Sequence, residues 1–199
     1  MTEVKELKVE DIKKQVEDTL KCPVQKALLY VSVFLDGPMC GRCFPCAMGS
    51  YEAKARLQRI SMGEGSEEDI AALKKIAGQM AEASMCKKGK DTSKFISEWI
   101  ASGVYNEHVE GRCPEKECLA LVEYKVIPEK CIMCGDCLDA CKFGAILGEK
   151  KQTYKSGYFP FEIRLKRCVK CGECINVCPT DAIVIVDVKD KTVQAVQTV

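Results

Sequence analysis

Cys131-x2-Cys134-x2-Cys137-x3-Cys141 returns 37 positions later as Cys168-x2-Cys171-x2-Cys174-x3-Cys178-Pro179. Two-residue gaps let one tight loop place three thiolates on three irons of a single cubane, while the fourth thiolate of each run reaches the other cubane. The spacing therefore implies two [4Fe-4S] clusters. Cluster one draws on Cys131, Cys134, Cys137 and Cys178; cluster two draws on Cys168, Cys171, Cys174 and Cys141. Gly135 and Gly172 give each loop the backbone freedom that such a wrap requires.

A disulfide framework and a pair of zinc sites are the rival readings of these eight residues. Disulfides belong to secreted chains, whereas the opening MTEVKELKVEDIKKQ is charged throughout where a signal peptide needs an apolar core. The longest apolar stretch, Ala27 to Leu35, is interrupted by Ser32 and is too short to cross a bilayer. Zinc knuckles group ligands in pairs, but here four cysteines recur within eleven positions, twice. The C-terminal part is therefore expected to be a bacterial-type two-[4Fe-4S] ferredoxin domain. Thirty Lys and Arg balance 29 Asp and Glu, so the whole chain offers no strong field for nucleic acid or an anionic membrane. Cytoplasmic localisation follows as an expectation.

Upstream lies Cys40-Gly41-Arg42-Cys43-Phe44-Pro45-Cys46, followed forty residues later by Ser84-Met85-Cys86. Three thiolates at two-residue spacing again suit three irons, and the fourth must come from a distance. Between them, Tyr51 to Ile60 is rich in helix formers, and Ser66-x-x-Asp69 has the form of a capping box. Ile70, Leu73, Ile76 and Met80 then recur at helical spacing. A helical hairpin would return Cys86 to the neighbourhood of Cys40.

Cys-Gly-x-Cys-x-Pro-Cys, a helical hairpin and Ser-x-Cys together resemble the C-terminal iron-sulfur domain of the flavin-bearing, NADH-binding subunit of respiratory complex I. The order is also similar to the corresponding subunit of electron-bifurcating hydrogenases, in which a His, a Cys-Pro-x3-Cys segment and a two-cluster ferredoxin module follow. The resemblance covers about residues 20 to 190. It implies that Cys40, Cys43, Cys46 and Cys86 bind a third [4Fe-4S] cluster. The family's Glu-Ser before the first cysteine and Arg after the third are Pro38-Met39 and Ala47 here, which alters the charge that sets a cluster's potential. The family's flavin and NADH domain would precede this region, and Gly63-Glu64-Gly65 is no dinucleotide-binding loop. A flavin and a nicotinamide site are expected on a partner flavoprotein subunit that binds NAD(P)H.

Cys22, Cys113, Cys118 and the only histidine, His108, remain. His108-x4-Cys113-Pro114-x3-Cys118 places three borderline-soft ligands within eleven residues, enough to start a zinc site that Cys22 would complete. Reduced thiols with Cys22 as a small apolar residue at a helix end are the alternative. Similar hydrogenase subunits place a metal-binding hinge at this connector.

The fold class expected is α+β. Residues 1–21 form an amphipathic helix with Val9, Ile12, Val16 and Leu20 on one face; residues 22–105 form a helical bundle binding one [4Fe-4S] cluster and ending in a helix from Ser93 to Ser102. Residues 106–122 are a connector, and 123–199 are the ferredoxin domain, with strands at Glu123 to Ile127 and Ala182 to Val188 and a hairpin tip at Lys150 to Pro160. The function expected is an electron-transfer subunit of a cytoplasmic, anaerobic, flavin-linked oxidoreductase complex, with no bond-making chemistry of its own; whether that complex is electron-bifurcating depends on a flavin outside this chain. It would relay electrons between a partner flavin and ferredoxin or a further catalytic subunit. A free-standing polyferredoxin carrier is the alternative.

Overall fold

In the computed structural model, residues 8–152, 154 and 156–189 are described, and the chain divides into two units, Met1–Leu121 and Val122–Val199. Helix and sheet are segregated between them: the first unit is helical, and the described strands lie in the second.

Helix α1, Val9–Thr19, buries Val9, Ile12 and Val16, a stripe at spacings of three and four that packs on its own unit. Residues 1–7 of the expected N-terminal helix lie outside the described residues. Pro23 opens α2, Pro23–Asp36, at a position where its missing N–H costs nothing. This helix buries Val24, Ala27, Tyr30, Val31 and Phe34. Tyr30 stacks on Phe95 of α5, Lys87–Ile100, with ring centroids 4.2 Å apart. Helix α5 begins six residues earlier than the sequence pattern suggests, because its first turn, Lys87-Lys88-Gly89-Lys90, carries no apolar periodicity. Phe95 and Ile96 are both buried, and Trp99 is half-buried.

Between α2 and α5, α3 (Phe44–Ser61) and α4 (Glu67–Ala83) form a helical hairpin. They approach closely at Gly49, where an added Cβ would stand 2.7 Å from both Cγ and Sδ of Met80. Asp69 fixes the start of α4. Its Oδ2 accepts from the Ser66 backbone N–H at 2.9 Å and from the Ser66 hydroxyl at 3.2 Å, and its Oδ1 accepts from Arg56 at 2.7 Å. Gly103, at φ +78°, then turns the chain into α6, Val104–Val109, which delivers His108 to the interior.

In the second unit, β1 (Val122–Val126) pairs antiparallel with β4 (Ile183–Asp187), Val122 opposite Asp187 and Val126 opposite Ile183. A two-residue ladder joins β2, Ile146–Leu147, to β3, Glu162–Ile163. Of the long hairpin tip between them, Thr153 and Lys155 lie outside the described residues, as do residues 190–199 beyond β4. Short helices α7, Asp136–Ala140, and α8, Glu173–Asn176, start from Gly135 at φ +90° and Gly172 at φ +85°. Met133 and Lys170, 37 positions apart, hold φ near +58° and +60°, so the sequence repeat is repeated in the backbone. The buried core is sparse. It consists of Tyr124, Ile146, Phe161, Ile163 and Ile183, with cysteines filling the rest.

Burial works against the Asp69 charge, but Ser66 and then Arg59 and Arg56 outweigh it and hold the carboxyl below its ordinary value. A lowered folded-state value means stabilisation that is full above the unfolded carboxyl's titration, near pH 3.9, and is lost as pH falls through the folded value. Asp69→Asn is therefore expected to destabilise the first unit by about 1–3 kcal/mol. The loss should be equal at pH 5 and pH 8, read from urea unfolding followed by the fluorescence of Trp99, the only tryptophan.

Candidate metal centres

Three cavities are each walled by four cysteines. Cys40, Cys43, Cys46 and Cys86 line the first; Cys131, Cys134, Cys137 and Cys178 the second; and Cys141, Cys168, Cys171 and Cys174 the third. Cys178 thus shares a cavity with the first loop's cysteines, and Cys141 with the second's.

In the first cavity, helix ends do the gathering. Cys43 is the residue before α3, Cys46 sits in its first turn, and Cys86 is the residue before α5. Unsatisfied N–H groups and the positive end of the dipole at both helix starts favour negative charge there. Gly89 permits the approach: a Cβ on it would lie 2.7 Å from the Ser84 hydroxyl and 3.0 Å from Cys46 Sγ. The Ser84 hydroxyl is buried and has no hydrogen-bond partner among the described residues.

In the second unit, backbone amides support the crossover thiols. Ala145 N–H donates to Cys141 Sγ at 3.3 Å, and Ala182 N–H, 37 positions later, donates to Cys178 Sγ at 3.2 Å. Burial opposes ionisation of Cys178, but the Thr180 and Ala182 amides outweigh it and lower its pKa. The central thiol of each cavity behaves oppositely. Burial, with Cys43, Cys86 and Cys40 nearby, pushes Cys46 up to about 11. Burial together with neighbouring sulfurs likewise pushes Cys137 and Cys174 up to about 11. Four converging thiols cannot ionise together without positive charge among them, which the iron of a [4Fe-4S] cluster would supply.

A fourth group lies in the first unit. Cys22 Sγ, His108 Nε2, Cys113 Sγ and Cys118 Sγ lie within 4.8 Å of one another, and all four residues are fully buried. Cys22 Sγ stands 3.2 Å from His108 Nε2, 3.7 Å from Cys118 Sγ and 3.9 Å from Cys113 Sγ. These separations are far beyond a disulfide bond. His108 Nδ1 donates to the Val104 carbonyl at 2.9 Å, so in the neutral ring Nε2 keeps its lone pair toward the sulfurs. Burial lowers the imidazole's proton affinity, but the Cys113 and Cys22 sulfurs reverse that and raise it to about 10. Cys113 is driven strongly toward thiolate by the thiols of Cys118 and Cys22, and Cys118 is driven toward thiol.

Two supports of this group escape a reading of the sequence. Gln25 Nε2 donates to Cys118 Sγ at 3.4 Å, and the Glu117 carboxylate accepts from the Lys21 and Cys22 backbone N–H groups, at 2.8 Å from the latter. Glu117 stands in the Cys-Pro-x3-Cys segment, but its partners are 95 and 96 positions away, and nothing local signals them.

Residues 26–103 match the model of the NADH-ubiquinone oxidoreductase-F iron-sulfur binding region, and residues 122–182 match that of the 4Fe-4S dicluster domain. The chain is 33% identical over 142 residues to the NADP-reducing hydrogenase subunit HndC of Solidesulfovibrio fructosivorans, a stretch covering 70% of this chain and 29% of that protein. It is 32% identical over 103 residues, 50% of this chain and 23% of the relative, to the F subunit of the NADH-quinone oxidoreductase of Streptomyces coelicolor. It is also 32% identical over 66 residues, 33% of this chain and 9% of the relative, to the beta subunit of the NADP(+)-dependent formate dehydrogenase of Moorella thermoacetica. The chain thus carries the iron-sulfur region of these oxidoreductase subunits and spans less than a third of their length. It is a [4Fe-4S] electron-transfer module. Cys22, His108, Cys113 and Cys118 are not all held by either matched region: Cys22 precedes the first, and the other three lie between the two.

Gly89→Ala is expected to empty the first cavity selectively, because the new methyl group occupies space between Ser84 and Cys46. Iron per chain in anaerobically purified protein should fall by about four, with the absorption and EPR signals of the second unit retained.

Proposed function

We propose that the chain is the iron-sulfur subunit of a cytoplasmic, flavin-linked oxidoreductase complex and holds three [4Fe-4S] clusters. The observation that carries this reading is the walling of each cavity by one tetrad: Cys40, Cys43, Cys46 and Cys86; Cys131, Cys134, Cys137 and Cys178; Cys141, Cys168, Cys171 and Cys174. Bound clusters supply one-electron redox capacity, and the chain's own residues set their number, spacing and exposure to water. Electrons then pass between a partner's flavin and a ferredoxin or further redox subunit. Among the described residues, no helix is long and apolar enough to cross a membrane.

The partner that holds the flavin and NAD(P)H docks beside the first cavity. Cys40 and Cys86 are exposed there, and Phe44 and Met85, next to cavity cysteines, are 76% and 83% exposed. Apolar side chains this bare beside a redox site suit burial against another protein.

Zinc is proposed for the buried Cys22, His108, Cys113 and Cys118 group. Tetrahedral ligation at about 2.3 Å from sulfur gives sulfur–sulfur edges of about 3.8 Å. The 3.7 and 3.9 Å sulfur–sulfur separations match that edge. The zinc supplies no redox chemistry and ties the start of α2 to the segment after α6.

Two measurements test these assignments. Anaerobic protein should contain about twelve irons and one zinc. Cys113→Ser should remove the zinc while leaving iron unchanged; iron that never exceeds about eight sinks the first tetrad, and zinc-free protein with full iron sinks the fourth group. Separately, the isolated chain should accept electrons from dithionite yet neither retain flavin nor oxidise NADH or NADPH until a flavoprotein subunit is added. Stoichiometric flavin or NADH-dependent reduction in the lone chain would overturn the division of labour.

A further inference from the structure

The two halves of the second unit are built alike, which makes each a control for the other. Across the 37-residue offset the cysteines, Gly135 and Gly172, Met133 and Lys170, and the Ala145 and Ala182 amides all correspond. Their surfaces do not. Lys170 and Glu173 line the third cavity, and Lys142, Arg164, Lys166 and Arg167 flank its Cys141 and Cys168 in sequence. Their counterparts at the offset of 37, which flank Cys178 and Cys131, are Pro179, Ile127, Glu129, Lys130 and Met133, with Asp136: one cation against two carboxylates.

Nearby contacts bring the basic residues together. Arg164 N–H donates to the Ala145 carbonyl at 2.7 Å, and Arg167 Nη1 lies 3.9 Å from where a Cβ on Gly144 would stand, so the turn after Cys141 and the segment before Cys168 adjoin. Lys142, Arg164, Lys166 and Arg167 are exposed, and none is paired with a carboxylate among the described residues. At the other half, by contrast, Lys150 is engaged by Asp139. Within the basic rim lie Phe143, Leu165 and Val169, which are 51%, 42% and 50% exposed. Phe143 and Val169 also line the third cavity, so a protein that covered them would rest against the cavity wall.

We propose that this face is the docking surface for a small acidic protein carrying its own redox centre. The inference rests on the reading that Cys141, Cys168, Cys171 and Cys174 hold a cluster. Cations on the rim steer and orient an acidic partner, and the apolar centre excludes water once contact is made. Charge complementarity selects the partner's sign, and the cavity behind the patch selects its chemistry. At the matching face of the other half, Lys130 stands next to Glu129, and Lys150 is engaged by Asp139.

The test uses the full, cluster-loaded chain and a small acidic [4Fe-4S] ferredoxin, with binding measured anaerobically by biolayer interferometry. Affinity should fall about tenfold or more between about 50 and 300 mM salt, and Arg164→Glu combined with Lys166→Glu should weaken it at least about tenfold. Lys130→Glu, the matching change at the other half, should leave affinity as it was. Leu165→Ser should weaken binding without altering its salt dependence. No binding by the wild type, equal weakening by Lys130→Glu, or equal affinity for a basic c-type cytochrome would overturn the docking face. Iron content, measured on each sample, separates this from the ligand assignment. Wild-type protein lacking iron at the third cavity overturns that assignment, whereas full iron with no ferredoxin binding overturns only the docking face.

Discussion

Thiols brought within a few ångströms of one another in a buried space repel as thiolates and resist losing their protons. That constraint is visible at Cys46, Cys137 and Cys174, each held well above the ordinary thiol value by burial and by neighbouring sulfur. The fold therefore has to bring together groups that oppose being together. Metal cations would relieve the conflict, and their binding would become part of the folding free energy. In the second unit this matters most, because its apolar core is only a handful of residues around Tyr124, Phe161 and Ile183.

The two units meet the constraint by different means. In the second, ligands come from short loops, with φ near +60° at Met133 and Lys170 letting three thiols face one point. Such backbone strain persists only where the surroundings fix it, and metal ligation would do so. In the first unit, helices of 18 and 14 residues carry the ligands at their starts, so the geometry is set by helix packing. Gly49 and Gly89 belong to that packing: one lets α3 approach α4, and the other lets α5 approach Cys46.

How far the sequence disclosed this depended on how local each signal was. A single cysteine run, the Ser66 to Asp69 cap and the β1 and β4 strands each lie within a dozen residues, and physical rules read them directly. The start of α5 was hidden because three lysines in a first turn oppose the dipole and offer no apolar stripe. Its stability comes from Phe95 and Ile96, farther along. Cys22 was legible only as a leftover cysteine near a helix start. Its neighbours His108, Cys113 and Cys118 and its backbone partner Glu117 come from the far end of the unit, and no periodicity connects them.

That distance has a kinetic side. Cys22 meets His108, Cys113 and Cys118 across 86, 91 and 96 steps of chain. Contacts of such high sequence separation form late, after the loop between them has been organised by nearer contacts. During synthesis Cys22 emerges long before its companions, so the group closes only when all of α2 to α6 has been made and packed. The enclosed loop contains every cysteine of the first cavity. The four-residue group thus marks completion of the first unit, a late seal on a compartment whose own ligands are already in place.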